Sequence, residues 1–289
     1  MASIKLESNI EAIDISSTNE VAVASSKLTG KIWNGEIFVY QLSDNLELVQ
    51  KRRIETNAGN ASIKYVNLDH ITTILGHISY QISRWLNAQS LLSAGDAGVV
   101  QLTNFSNPKQ IKTKHFHGHH DIISSIDTNK TANSEQFVSS SWDLSIKLWN
   151  ASSPHATNTF VGHTEFIWKV AFNPLATSTF ASVSQDKTIQ LWDVTKPTAT
   201  SVIKVNVPLY SLSWNQVNQH ILAVGGQDGS VQLFDTRNTT SPLVSKVIHS
   251  ASVKEVAFDK HNENVIATGG DDNKIAILST AENQLNVSK

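Results

Sequence analysis

The sequence predicts an all-β chain folded as a propeller of short four-stranded blades, and three observations predict it. The first is a repeat: in Ser141-Trp142-Asp143-Leu144-Ser145-Ile146-Lys147-Leu148-Trp149 and Ser184-Gln185-Asp186-Lys187-Thr188-Ile189-Gln190-Leu191-Trp192, an aromatic follows an Asp by six residues. The frame returns from Asp228 to Phe234, Asp272 to Leu278 and Asp96 to Leu102, with Asn34 to Tyr40 as a weaker copy. The five Asp residues stand 47, 43, 42 and 44 positions apart. The second is a histidine in phase with the Asp: His119, His163 and His249 precede Asp143, Asp186 and Asp272 by 24, 23 and 23 residues. The third is the hydrophobic pattern, which switches four times within each repeat unit.

Each unit divides into four strands in order. The first is apolar, as at 10–15, 167–172 and 253–258; the second is small and apolar, as at 21–25, 180–184 and 266–270. The third alternates, with Ile189 and Leu191 or Val231 and Leu233 on one face. The fourth is polar and variable, as at 46–52, 199–204 and 243–248, and the Asp marks the tight turn between strands two and three. A single such sheet cannot cover its own apolar faces, and stacking neighbours does so. Six repeat cores are visible, centred on Asn34, Asp96, Asp143, Asp186, Asp228 and Asp272. The step from Asn34 to Asp96 is 62, one repeat plus an insertion, placed near 70–86 between the first and second strands of the second unit. The whole chain, 1–289, is expected to be one domain whose last blade is short of strands, unless residues 3–6 or 284–287 supply its outer strand.

Composition narrows the function. Hydrophobic residues make up 40% and charged residues 17%, which suits a folded core rather than disorder. A net charge of −2 argues against a nucleic-acid groove or a polybasic membrane footprint. With no cysteine, thiol catalysis, disulfides and cysteine zinc sites are excluded. No run approaches the roughly 18 apolar residues of a membrane span, and the first 15 residues lack a signal-peptide core, so a cytoplasmic or nuclear protein is expected.

These residues resemble the WD-repeat family over roughly 8–289, with Gly162-His163 and Trp192-Asp193 as its full motif. The resemblance implies seven blades and a buried hydrogen-bond chain of loop His, strand-two Ser, turn Asp and strand-three Trp. His119, Ser141, Asp143 and Trp149 fit one chain; His163, Ser184, Asp186 and Trp192 fit another. The same residue types could suggest a hydrolase. A constellation repeated unit after unit is structural, however, and no Gly-x-Ser-x-Gly elbow, phosphate loop or His-Glu-x-x-His occurs. No enzymatic activity and no cofactor are therefore expected. His115, His117 and His119 alternate, but no carboxylate or cysteine lies at a familiar zinc spacing, so no metal is expected. Lys51-Arg52-Arg53 falls on an expected outer strand, where charge guards an edge.

Within the family the chain is most similar to the WD-repeat subunits of the methylosome. The resemblance rests on Ala24-Ser25-Ser26, on Gly30-Lys31-Ile32-Trp33-Asn34-Gly35, on the run from Ser93 to Val100, and on His119-His120-Asp121-Ile122-Ile123-Ser124. It implies a non-catalytic adaptor that docks on the arginine methyltransferase making symmetric dimethylarginine, forms a hetero-oligomer with it and helps present histone or Sm-type substrates. It also implies that Gly30, Lys31, Trp33 and Asn34, in the long first-repeat loop, form the partner contact, with Trp33 as the anchor. Blades three and four are also similar to the WD-repeat peroxisomal import receptor for N-terminal targeting signals, which is the alternative function; the first repeat argues against it.

Overall fold

The computed structural model describes residues 9–15, 20–29, 32–42, 48–56, 59–62, 80–87, 90–104, 112–130, 135–260, 262–280 and 284–287. They form six antiparallel-based sheets, each a blade, and no helix occurs among the described residues. The strands of blade one, from inner to outer, are Asn9–Ile15, Glu20–Thr29, Ile32–Leu42 and Leu48–Thr56. Blade two has Tyr80–Asn87, Ser90–Gly95, Val99–Asn104 and Lys112–His117, with Gly59–Ser62 added in parallel beside its inner strand. Blade three comprises Ile123–Thr128, Gln136–Ser141, Ser145–Asn150 and Asn158–Val161; blade four comprises Ile167–Phe172, Thr179–Ser184, Thr188–Asp193 and Ser201–Lys204. Blade five runs through Leu209–Trp214, Ile221–Gly226, Ser230–Asp235 and Val244–Val247, and blade six through Val253–Phe258, Val265–Gly270, Ile275–Ser279 and Asn286–Val287.

The inner strands of blades two to six meet in sequence, and the inner strand of blade six meets that of blade one. Gly59–Ser62 touches the first three strands of blade one and so joins blades one and two. Six sheets are seen among the described residues, against the seven blades that the resemblance implies. The last sheet has its fourth strand: Asn286 and Val287 pair with Ser279 and Leu278, so 284–287 supplies the outer strand and residues 3–6 lie outside the described ones.

Packing between blades two, three and four uses an aromatic carried on the outer strand of the preceding blade, a place that Ile203 takes in blade four. Phe160, on the outer strand of blade three, meets Phe180 and Trp192 of blade four at 5.0 and 5.6 Å between ring centres. Phe116 of blade two meets Phe137 and Trp149 of blade three in the same way, at 5.2 and 5.8 Å. All six rings are essentially inaccessible to water, and each such side chain contributes about 1.5–3 kcal/mol of burial. At the opposite end from the Asp turns, an Asn follows the inner strand of blades three, four and five and ties each to the next blade. Asn129, Asn173 and Asn215 donate from Nδ2 to the carbonyls of Thr177, Gln219 and Glu263 at 3.1, 2.8 and 2.9 Å.

Three sequence expectations shift. In blade two the tight turn closes from the Gly98 amide to the Gly95 carbonyl, as it does from Leu144 to Ser141 and from Lys187 to Ser184. Ala97, not Asp96, therefore occupies the turn-Asp position, and Thr103 occupies that of Trp149; Asp96 is one residue out of frame. The inserted length precedes the inner strand of blade two, because Tyr80–Asn87 is itself that strand; residues 63–79 lie outside the described residues. In blade one, Asn34 is not in a turn. Ser25 pairs with Glu36 at the level where other blades turn, yet pairing continues outward to Thr29 and Ile32. Residues 26–29 and 32–35 thus extend the hairpin into a two-stranded arm.

Candidate interaction surface

The His–Asp pairs are formed by the loop that enters each inner strand and the turn that closes strands two and three. In blade four, His163 Nδ1 lies 2.8 Å from Asp186 Oδ2 and its Nε2 2.7 Å from Ser182 Oγ. The Trp192 indole N–H donates to the same Ser182 Oγ at 2.8 Å. In blade three His119, Asp143 and Trp149 are joined through Ser139 at 2.9, 2.8 and 2.8 Å. The serines expected in this role, Ser141 and Ser184, do something else. They lie on the same face two residues further on, at the strand end, beyond reach of the Trp. Each hydroxyl accepts from the turn Asp amide at 3.1 Å and donates to a loop carbonyl, of Asp121 at 3.2 Å or Glu165 at 3.0 Å. Blade six repeats the pair with His249 and Asp272, and Thr268 takes the serine's place at 2.9 Å.

The Gly before the His has a steric cause. A Cβ on Gly162 would stand 2.9 Å from Trp192 Cη2 and 2.6 Å from Gln190 Oε1, and one on Gly118 would stand 3.0 Å from Trp149 Cη2. Where the Trp is replaced by Phe234 or Leu278, the Gly position holds Lys204 or Ile248.

Burial alone would push the turn carboxyls up. In Asp143 the hydrogen bonds from His119, Ser145 and the His120 amide, with the nearby His119 charge, outweigh it and hold the group well below the ordinary carboxylate range. Asp186 and Asp272 are lowered by the same balance, against burial, through His163 with Thr188 and through His249 with the Ser250 amide. With the histidines buried and both ring nitrogens engaged, the chains present no free nucleophile or base to a substrate. The chemistry is that of satisfied polar groups inside a sheet. His115 and His117 are exposed on the outer strand of blade two, their rings 6.4 Å apart, whereas His119 turns into the blade-three chain. No group of three potential metal ligands occurs among the described residues.

Two features mark the end of the propeller that carries the Asp turns. One is the arm formed by 26–29 and 32–35. Trp33 and Asn34 lie in its returning strand, opposite Leu28 and Lys27, while Gly30 and Lys31 lie outside the described residues. The other was not foreseen: a strip of aromatic rings running across three blades. Trp142, from the blade-three turn, stacks on Phe166 of blade four at 4.8 Å and meets Trp168 edge-on at 5.4 Å. Trp168 meets Tyr210 of blade five at 4.9 Å, and Lys254 of blade six holds its ammonium 4.4 Å from the Tyr210 ring centre. Trp168, Tyr210 and Lys254 are equivalent: each is the unpaired residue of a β-bulge that recurs in the inner strands, and bulges re-aim side chains. Alignment of the units on the inner-strand start, rather than on the turn, would have revealed them.

Comparisons with known proteins agree with this architecture. The family model "WD domain, G-beta repeat" matches residues 109–150, and the model "E3 ubiquitin-protein ligase RFWD3 WD40 domain" matches 146–247. The chain is 24% identical over 281 residues to a protein named Methylosome protein WDR77 from Xenopus laevis, covering 94% of this chain and 77% of that one. Six ringed sheets, the recurring Asp turns with their buried histidines, and the repeat match make this chain a WD-repeat β-propeller.

Proposed function

We propose that the chain is a non-catalytic adaptor that binds the symmetric-dimethylating arginine methyltransferase through the blade-one arm and helps bring histone or Sm-type substrates to it. One observation carries the reading: among the described residues the first blade alone extends its hairpin past the standard turn, and that extension contains Trp33. The similarity to a methylosome protein over nearly the whole chain supports the choice of partner. Tryptophan is the residue type most enriched among interface hot spots, and a paired arm holds its position at lower entropic cost than a loop. The complex is a hetero-oligomer in the cytoplasm and nucleus, formed without nucleic acid, membrane or cofactor.

The test is surface plasmon resonance with the purified methyltransferase. Trp33→Ala should weaken binding by at least about 2 kcal/mol, the hot-spot threshold. Equal affinity for the variant would remove Trp33 from the contact. Failure of the wild type to bind, with capture of peroxisomal targeting-signal cargo instead, would replace this reading by the receptor alternative.

A further inference from the structure

We propose that the aromatic strip Trp142–Phe166–Trp168–Tyr210 binds an arginine side chain of a basic peptide, with Lys254 as the internal cation that marks and limits the site. The inference rests on the adaptor reading only for its choice of an arginine peptide as the substrate class; the geometry stands apart from it. Phe166 is 39% exposed, and it lies nearly parallel to Trp142, with 20° between their planes. A flat, exposed ring backed by a second ring suits a planar guanidinium, which stacks where an ammonium cannot.

The strip already attracts a cation. Lys254 stands over Tyr210 and, at 5.8 Å, over Trp168, and Asp271 holds it at 3.4 Å. That end is filled, and the Phe166 end is open. Exposed carboxylates sit on the two loops bordering the open end, at Asp121 and Glu165, which is next to Phe166 in the chain. Charge and ring faces there favour the same sign of ligand. The indole N–H of Trp168 is used, donating to Gln185 Oε1 at 3.1 Å. The Trp142 Nε1 is buried without an acceptor.

The test uses the full chain, a synthetic Arg-Gly repeat peptide and the same peptide with citrulline at each arginine, followed by tryptophan fluorescence and calorimetry. The arginine peptide should quench and bind, and citrulline should lose about tenfold or more, because it keeps the shape and discards the charge. Phe166→Ala should lose a similar factor while remaining folded, since its ring belongs to none of the buried core clusters. Lys254→Ala should bind the arginine peptide more tightly, having lost its internal competitor. Equal binding of both peptides, or unchanged binding by folded Phe166→Ala, would overturn the proposal. Weakened binding in Lys254→Ala would overturn it too, by pointing to an anionic ligand. Methyltransferase capture is measured on the same preparations. Capture without arginine binding refutes this inference and leaves the adaptor; arginine binding without capture does the reverse.

Discussion

Blades four and five share turn geometry and register, yet they fill the space behind the turn in opposite ways. Blade four places His163, Ser182 and Trp192 there, linked to Asp186 by hydrogen bonds. At the same three positions blade five has Val205, Val224 and Phe234, which pack together in the apolar core with Leu209 and Leu222. Asp228 nevertheless stays, because its Oδ1 accepts the Ser230 amide at 3.0 Å, just as Asp186 accepts that of Thr188 at 2.9 Å. The turn thus needs its Asp on its own account, and the polar chain is one of two solutions for the volume behind it. Breaking one link of such a chain strands the others, whereas replacing all of it with apolar groups of like shape can be nearly neutral. Blade six stands between the two, with His249 and Thr268 in place but Leu278 where the Trp would be; Thr268 makes its further contact with the Ala276 carbonyl at 3.4 Å.

The contrast can be broken most forcefully at Ser182. Ser182→Val installs the blade-five residue alone and leaves the Trp192 indole N–H and His163 Nε2 buried without a partner. At about 1–3 kcal/mol for each orphaned group, the loss should be about 2–6 kcal/mol, read by chemical denaturation. Asp186→Ala should cost about 1–3 kcal/mol, since it takes the Thr164 amide's acceptor and leaves His163 Nδ1 with only Thr188 Oγ1, at 3.2 Å, at a partly exposed turn. Gly162→Ala should cost a comparable amount through the clash with Trp192, and much less when Trp192→Phe is already present. Additive effects of those two changes would refute the steric account of the Gly.

Acid sharpens the same comparison. The lowered carboxyls of Asp143, Asp186 and Asp272 bind fewer protons folded than unfolded. The stability they contribute is complete above the unfolded carboxylate value and is lost as pH falls through their folded values. Melting temperature should therefore hold above about pH 5 and decline progressively below about pH 4. Replacing His163 removes the contact that does most to lower Asp186, so a His163→Val chain should show a shallower decline. The smallest effect is expected on the surface: breaking the exposed Asp235–Arg237 pair with Arg237→Ala should leave the melting temperature unchanged, although Arg237 holds the Asp235 carboxyl down at about 2.

Much of this was legible in the chain. The Asp spacing locates the hairpins of blades three to six, because those turns demand a side-chain acceptor two residues before an amide. It misplaces blade two, where Ala97 offers no side-chain acceptor and Asp96 lies one residue out of frame. Gly98, with φ at +67°, marks the true frame, since the equivalent Leu144 and Lys187 adopt +67° and +63°. Ser139 and Ser141 share a face, so a period of two cannot tell which one reaches Trp149. The aromatic strip escapes an alignment on the Asp turns for another reason. Trp142 meets Phe166 and Trp168 meets Tyr210 across blade boundaries, a neighbourhood set by ring closure and by bulges that leave no trace in composition.

The hydrogen-bonded residues behind the turn matter as a set. The direct measurement is the denaturation free energy of His163→Val/Ser182→Val/Trp192→Phe, which gives blade four the blade-five filling, beside that of Ser182→Val alone. The triple variant should be the more stable of the two despite its additional substitutions. A triple variant less stable than the single, with losses adding up site by site, would contradict that expectation.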